Sequence, residues 1–237
     1  MKTFVLAGHE TTAAVMSWSA VEILRTKEGR GKMTPLESLV VDDGNRVFGA
    51  SSTIASLNPS SLPDRQQLMT LDATTAILKE SLRMFSVVPT VTRSVDSENC
   101  TLVVEDRQVT LPVGTTVMIG IQAVHMNPQV WREPKVYDHG RFMPGGEHSK
   151  MNEVDKNFGF IPFIAGPRNC LGQYLSMLEA SMVLSLFFKE FDCELVDEGE
   201  VEIEGGVEVE KCRIKHPFMV PVTPRDGVKV RIRRRKR

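Results

Sequence analysis

The chain has 237 residues, 41% of them hydrophobic and 25% charged, with a formal net charge of −1. That is enough for a sizeable core in one or two domains, and the near-zero charge gives no overall field for nucleic acid. Cys100, Cys170, Cys193 and Cys212 form no C-x-x-C pair, so free thiols in a reducing compartment are expected, and there is neither a bilayer-length apolar run nor a secretory signal with a cleavage site.

Residues 2 to about 26 read as a largely buried helix, with Phe4, Val5, Ala7, Gly8, Ala14, Val15 and Trp18. It starts in its apolar middle without a Ser, Thr or Asp cap, which predicts that the chain is a piece of something longer. Gly29, Gly31 and Pro35 close it, and a weaker helix spans 35 to 48. The Ser-rich stretch 49 to 63 reads as a loop. Residues 64 to 84 form one helix in this reading, with Leu68, Leu71, Ala76, Ile77, Leu78, Leu82 and Met84 on its apolar face. Alternation then predicts short strands at 90–92, 101–104 and 115–119. From 127 to 162 the chain is rich in Pro, Gly, Asn and charge, a long irregular stretch of the kind that often carries function. Leu171, Leu175, Leu178, Met182, Leu186 and Phe187 mark the clearest helix, 171 to 190, and strands follow at 193–196, 201–209, 218–220 and 228–232. The fold class is mainly α with small β-sheets, in a single domain over 1–237. The basic run Arg231 to Arg237 is of a kind that touches phosphates or lipid headgroups, although most such runs are solvated ends.

Two stretches carry chemistry. His9-Glu10-Thr11-Thr12-Ala13 begins like a zinc-protease helix, but Ala13 stands where the second histidine is needed. His9, His139, His148 and His216 form no metal set. The second stretch, Phe163 to Gly172, places Cys170 at the mouth of a strong helix, behind a Gly166-Pro167 turn. Free N–H groups and the positive end of the helix dipole favour a thiolate there, and Arg168 is set to meet an anion. On these residues alone, a structural cysteine beside a turn remains an equal alternative.

The spacing F-x-x-G-x-R-x-C-x-G, met by Phe163, Gly166, Arg168, Cys170 and Gly172, resembles the haem-ligand signature of the cytochrome P-450 family. Glu80-Ser81-Leu82-Arg83 resembles its E-x-x-R, and Ala7-Gly8-His9-Glu10-Thr11-Thr12 its distal-helix motif. The resemblance implies the C-terminal part of the cytochrome P-450 fold, a truncated haem-thiolate monooxygenase domain running from the distal helix to the C-terminus. It implies haem b with Cys170 as the proximal thiolate, Phe163 and Gly172 near the sulfur, and Arg168 on a propionate. Arg93, after Val88-Pro89, is expected on a propionate as well, and His125, in Ala123-Val124-His125-Met126-Asn127-Pro128, is expected either on a propionate or, equally, as a hydrogen-bonded loop histidine. Thr11 and Glu10 are expected in oxygen activation and proton delivery. Glu80, Arg83 and Arg141 are expected to form a structural triad, with His139 and Gly140 departing from the usual residues before Arg141. Substrate contacts are expected from Val87 to Val91 and near Phe218 and Met219. The implied partners are an apolar small molecule, dioxygen and an electron-donor reductase or ferredoxin. Membrane attachment, at the endoplasmic reticulum in the full-length form, would run through a missing N-terminal region. The competing expectations are a catalytically inactive fragment that binds haem weakly or not at all, and a haem sensor or scavenger.

Overall fold

The computed structural model describes residues 2–25, 33–58, 60–98, 100–104, 106–196, 202–204, 207–209, 222–224 and 228–235. In chain order its elements are α1 (Lys2–Leu24), α2 (Pro35–Phe48), α3 (Arg65–Leu68), α4 (Asp72–Met84), β1 (Thr90–Ser94), β2 (Thr101–Val104), β3 (Arg107–Thr110), β4 (Thr116–Gly120), α5 (Ile121–His125), α6 (Glu147–Lys150), α7 (Glu153–Phe158), α8 (Gln173–Glu190), β5 (Phe191–Leu195), β6 (Glu202–Glu204), β7 (Val207–Val209) and β8 (Val230–Arg234). The strands pair antiparallel as β1 with β4, β2 with β3, β5 with β8 and β6 with β7. The expected strand at 218–220 and Cys212 lie outside the described residues.

Four helices enclose the core. Ala14, Val15, Ile23 and Leu24 of α1 pack with Val40 and Val41 of α2, Ile77, Leu78 and Leu82 of α4, and Ala180, Leu184 and Phe188 of α8. Contact between α2 and α8 is close enough that a Cβ on Gly44 would stand 2.7 Å from the Ser185 carbonyl oxygen, so only glycine fits without a shift. Thr34 and Glu37 form a capping box at the start of α2, worth about 1 kcal/mol, and Thr34 Oγ1 also donates to the Ile23 carbonyl at 2.6 Å.

The single helix expected over 64–84 is two. Asp64 and Gln67 cap the one-turn α3, Leu71 leaves helical geometry at φ −73°, ψ 61°, and α4 starts at Asp72. Partners from α2 hold the break. Asp43 Oδ2 accepts from the Thr74 N–H at 2.9 Å, and Arg46 Nη2 donates to the Thr70 carbonyl at 2.5 Å. Such tertiary bonds leave no periodic signal. Strand β3 carries Arg107 and Gln108 and is exposed throughout, and α5 is five residues long, so neither produces a pattern to read.

The basic tail is tied into the fold. Arg231 pairs with Glu194 at 3.0 Å, Arg234 with Glu190 at 2.5 Å, and Arg235 with the fully buried Glu37 at 2.5 Å. Arg231 and Arg234 stay exposed, as expected of a solvated end, and of the three only Arg235 is drawn in, against a buried carboxylate.

Candidate functional site

Cys170 lies exposed just before α8, at the end of the tight loop from Phe163. Its N–H donates to the Phe163 carbonyl at 2.9 Å, and Ile164 N–H donates to the Ile161 carbonyl at 3.0 Å. Between them the backbone takes left-handed geometry at Ile164 (φ 65°) and Gly166 (φ 78°). Gly166 does this freely. For the β-branched Ile164 it costs on the order of 1–3 kcal/mol, strain of the sort found at functional sites. A Cβ on Gly172 would meet Cys170 Sγ at 3.9 Å, ordinary contact, so Gly172 keeps space beside the sulfur without being forced by it. Phe163 packs on the core cluster and anchors the loop. Arg168 is exposed and makes no ion pair among the described residues. Around this loop Leu171 is 84% exposed, Tyr174 79% and Leu175 70%.

The other expected wall is the first half of α1. Ala7 through Glu10 are exposed and Thr11 is half-buried, whereas Trp18 through Leu24 except Ala20 are buried. Thr11 Oγ1 donates to the Ala7 carbonyl at 2.6 Å, the back-bond expected to loosen a helix turn. Among the described residues a Cβ on Gly8 would touch nothing within 4 Å, so none of them closes off this turn. Helix α1 packs along α8, but no hydrogen bond or ion pair joins Glu10 or Thr11 to Cys170, Arg93 or Arg168 among the described residues.

Glu80, Arg83 and Arg141 meet in one buried cluster. Arg83 donates from Nε and Nη2 to the Glu80 carboxylate at 2.8 and 2.7 Å, and the Asp138 N–H donates to it at 2.9 Å. Arg141 Nε stands 3.4 Å from Glu80 Oε1, close enough to pair by charge but not aligned as a hydrogen bond. Arg141 also pairs with Glu147. Burial pushes the Glu80 carboxyl above its ordinary value, and Arg83, the Asp138 N–H and Arg141 pull it back in part. Tyr137, at hydrogen-bond distance from Ser81 Oγ (3.0 Å) and donating to the Ile77 carbonyl at 2.9 Å, is driven well above the usual phenol range, chiefly by burial.

His125 takes the second of its two expected places, a histidine hydrogen-bonded within the fold. It is fully buried, its Nδ1 lies 2.9 Å from Ser86 Oγ, and its Nε2 accepts from the Ile161 N–H at 2.9 Å. Both ring nitrogens are spent on protein groups, so the ring has no donor for a propionate. Burial, and then the nearby charge of Arg83, lower its pKa to about 4, which keeps it neutral. Arg93, half-buried on β1, donates only to the adjacent Thr92 carbonyl and has no carboxylate partner among the described residues. Phe218 and Met219 lie outside the described residues. Trp131, absent from the expected set, is fully buried and donates from Nε1 to the Gly159 carbonyl at 3.1 Å. The only hint of it in sequence is a tryptophan inside a long irregular stretch that needs polar anchors.

No described helix is long and apolar enough to cross a membrane, and no group of three His, Cys, Asp or Glu forms a metal site among the described residues. The residues that remain fit a haem bound by one thiolate. They supply an exposed sulfur beside a glycine, apolar side chains around Leu171 and, among the described residues, space over Gly8 and two arginines free of carboxylates. The cytochrome P450 family model matches residues 1–208. Cytochrome P450 4c3 of Drosophila melanogaster is 30% identical over 228 residues, which is 94% of this chain and 37% of that protein. Human cytochrome P450 4F12 is 34% identical over 190 residues, 80% of this chain and 32% of that protein. The crystal structure of a mutant cytochrome P450DA heme domain superposes with a TM-score of 0.71 at 21% identity, covering 99% of this chain and 44% of that one. The chain thus spans about a third of the length of the curated relatives it matches. With its helices, its small antiparallel sheets and its cysteine loop, it belongs to the cytochrome P450 family.

Proposed function

We propose that the chain forms the proximal wall and part of the distal wall of a haem-thiolate monooxygenase that inserts one atom of dioxygen into an apolar organic substrate. The observation that carries this reading is Cys170. Its sulfur is exposed at the entry to α8, with its N–H tied to Phe163 and every fixed position of the signature present. When bound, the haem supplies the iron chemistry that activates dioxygen, with electron density from the thiolate favouring O–O cleavage.

The chain's own residues hold and feed it. Cys170 Sγ is the ligand, the Phe163 side chain packs below it, and Arg93 and Arg168 neutralise propionates. Glu10, exposed at the solvent end, carries protons to Thr11 Oγ1, which gives up its bond to the Ala7 carbonyl as it passes a proton inward. Glu80, Arg83 and Arg141 hold the fold behind the loop. Electrons come from a reductase or ferredoxin, and the endoplasmic reticulum membrane is the proposed location.

A second reading, a chain that binds haem weakly and does not turn over, is favoured by the exposed Leu171, Tyr174 and Leu175. The reduced carbon-monoxide difference spectrum separates the two. Thiolate-type absorbance that disappears in Cys170→Ala supports ligation, and product formation with a reductase that falls about 10²–10⁴-fold in Thr11→Ala supports turnover. Absence of haem uptake by the wild-type chain sinks the ligand role.

A further inference from the structure

Two buried side chains that no part of this reading uses converge on the segment leading into Cys170. His125 Nε2 accepts from the Ile161 N–H at 2.9 Å, and Trp131 Nε1 donates to the Gly159 carbonyl at 3.1 Å. The same three residues, Gly159 to Ile161, are therefore gripped at both ends. Phe160 fills the space between, its ring centroid 5.3 Å from that of His125 and 4.6 Å from that of Phe142. A Cβ on Gly159 would stand 2.5 Å from the Asp155 carbonyl oxygen and 2.7 Å from Val130 Cγ1, so the backbone is seated with no slack.

Arg83 holds both prongs. Its Nη1 donates to the His125 carbonyl at 3.1 Å and to the Pro134 carbonyl at 2.7 Å, and its guanidinium carbon lies 5.4 Å from the centroid of the Trp131 ring. On the other side, Ile161 uses its carbonyl to close the turn through Ile164 N–H, and that turn presents the Phe163 carbonyl to Cys170 N–H. An unbroken line of bonds thus runs from Glu80 through Arg83, His125 and Ile161 to Cys170. Because Nε2 must be a bare acceptor for Ile161, the proton sits on Nδ1, where Ser86 Oγ meets it.

We propose that His125 and Trp131 are positioning residues that clamp Gly159–Ile161 to Arg83 and thereby fix Cys170 Sγ for haem ligation. The ligation half of this proposal rests on the haem-thiolate reading of Cys170; the clamp itself does not. A metal-binding sulfur on an exposed loop needs such support, since a ligand left loose by its surroundings loses geometry and affinity.

The test uses the whole chain, loaded with haem, in four forms: wild type, His125→Phe, His125→Gln and Trp131→Phe. His125→Phe keeps a ring and removes the acceptor, His125→Gln restores an acceptor near the same place, and Trp131→Phe removes the donor while keeping a smaller aromatic ring under Arg83. Amide hydrogen exchange at residues 159–165 and the thiolate share of the ferrous carbon-monoxide spectrum are read together. Exchange at Ile161 is expected to rise, and the thiolate share to fall, by about tenfold in the two Phe variants, with His125→Gln recovering most of both. Should His125→Phe fail to fold, Trp131→Phe decides. Wild-type exchange and spectrum in a folded Phe variant overturn the proposal, as does a His125→Gln no better than His125→Phe. A wild-type chain without the thiolate band overturns the ligand reading instead, and the exchange data then judge the clamp alone.

Discussion

Around Glu80 nearly every polar group is answered. Its carboxylate takes two bonds from Arg83 and one from the Asp138 N–H, Arg83 reaches three carbonyls besides, and all of it is sealed from water. Around Cys170 and along the first half of α1 the opposite holds: the sulfur, Arg168, Glu10 and the apolar Leu171 face outward, and Arg168 has no ion-pair partner among the described residues. Both regions carry family motifs of similar sharpness. What separates them is who supplies the partner. Groups that secure the fold find their partners inside the chain, and groups that serve a ligand are left for it.

The largest expected effect breaks the closed side. Glu80→Gln removes the charge between two buried guanidiniums without changing volume, and should cost about 3–5 kcal/mol of unfolding free energy in a denaturant titration. A loss under about 1 kcal/mol would show that the pair is no more than a surface-type bridge.

Next comes acid. His125 is neutral in the fold with a pKa of about 4 and has an ordinary value of 6.5 once unfolded. Between the two, the unfolded chain binds a proton that the folded chain refuses, so stability falls as pH drops from 6.5 and stops falling from this source near 4. The whole window is worth about 3 kcal/mol. Unfolding curves across that range should show the slope, and His125→Phe should flatten it. Carboxylates titrate at the lower end of the window, so the variant difference is the measurement, not the raw curve.

Arg235→Ala is expected to cost about 1–3 kcal/mol, because it strips the tail's contact from the fully buried Glu37. Arg231→Ala, whose partner Glu194 is part-exposed, should stay below about 1 kcal/mol. Equal losses would mean that the tail acts by its total charge and not by where each arginine lands.

Legibility divided along the same line. The helices α1, α2 and α8 were readable because their apolar spacing is a local property, and the Glu80–Arg83 pair was readable because a fixed spacing carries it. The break between α3 and α4 was not, since Asp43 and Arg46 stabilise it from another helix. His125 stayed open between a propionate and a hydrogen bond within the fold for the same reason. Its motif shows that a histidine stands there, but only the Ser86 and Ile161 contacts show that both nitrogens are taken. Trp131 escaped because a lone indole in an irregular stretch has no period.

The smallest stability effect is expected at the residue on which the proposed function depends most. Cys170 is exposed, and its one hydrogen bond among the described residues is made by the backbone N–H to Phe163, which a substitution leaves in place. Cys170→Ala should therefore change unfolding free energy by no more than about 0.5 kcal/mol, while abolishing thiolate-type haem absorbance. Glu80→Gln should do the reverse, lowering stability first and haem binding only as the fold loosens. If Cys170→Ala proves as destabilising as Glu80→Gln, the sulfur belongs to the closed side and is a packing residue, and the division between the two regions fails at its most important point.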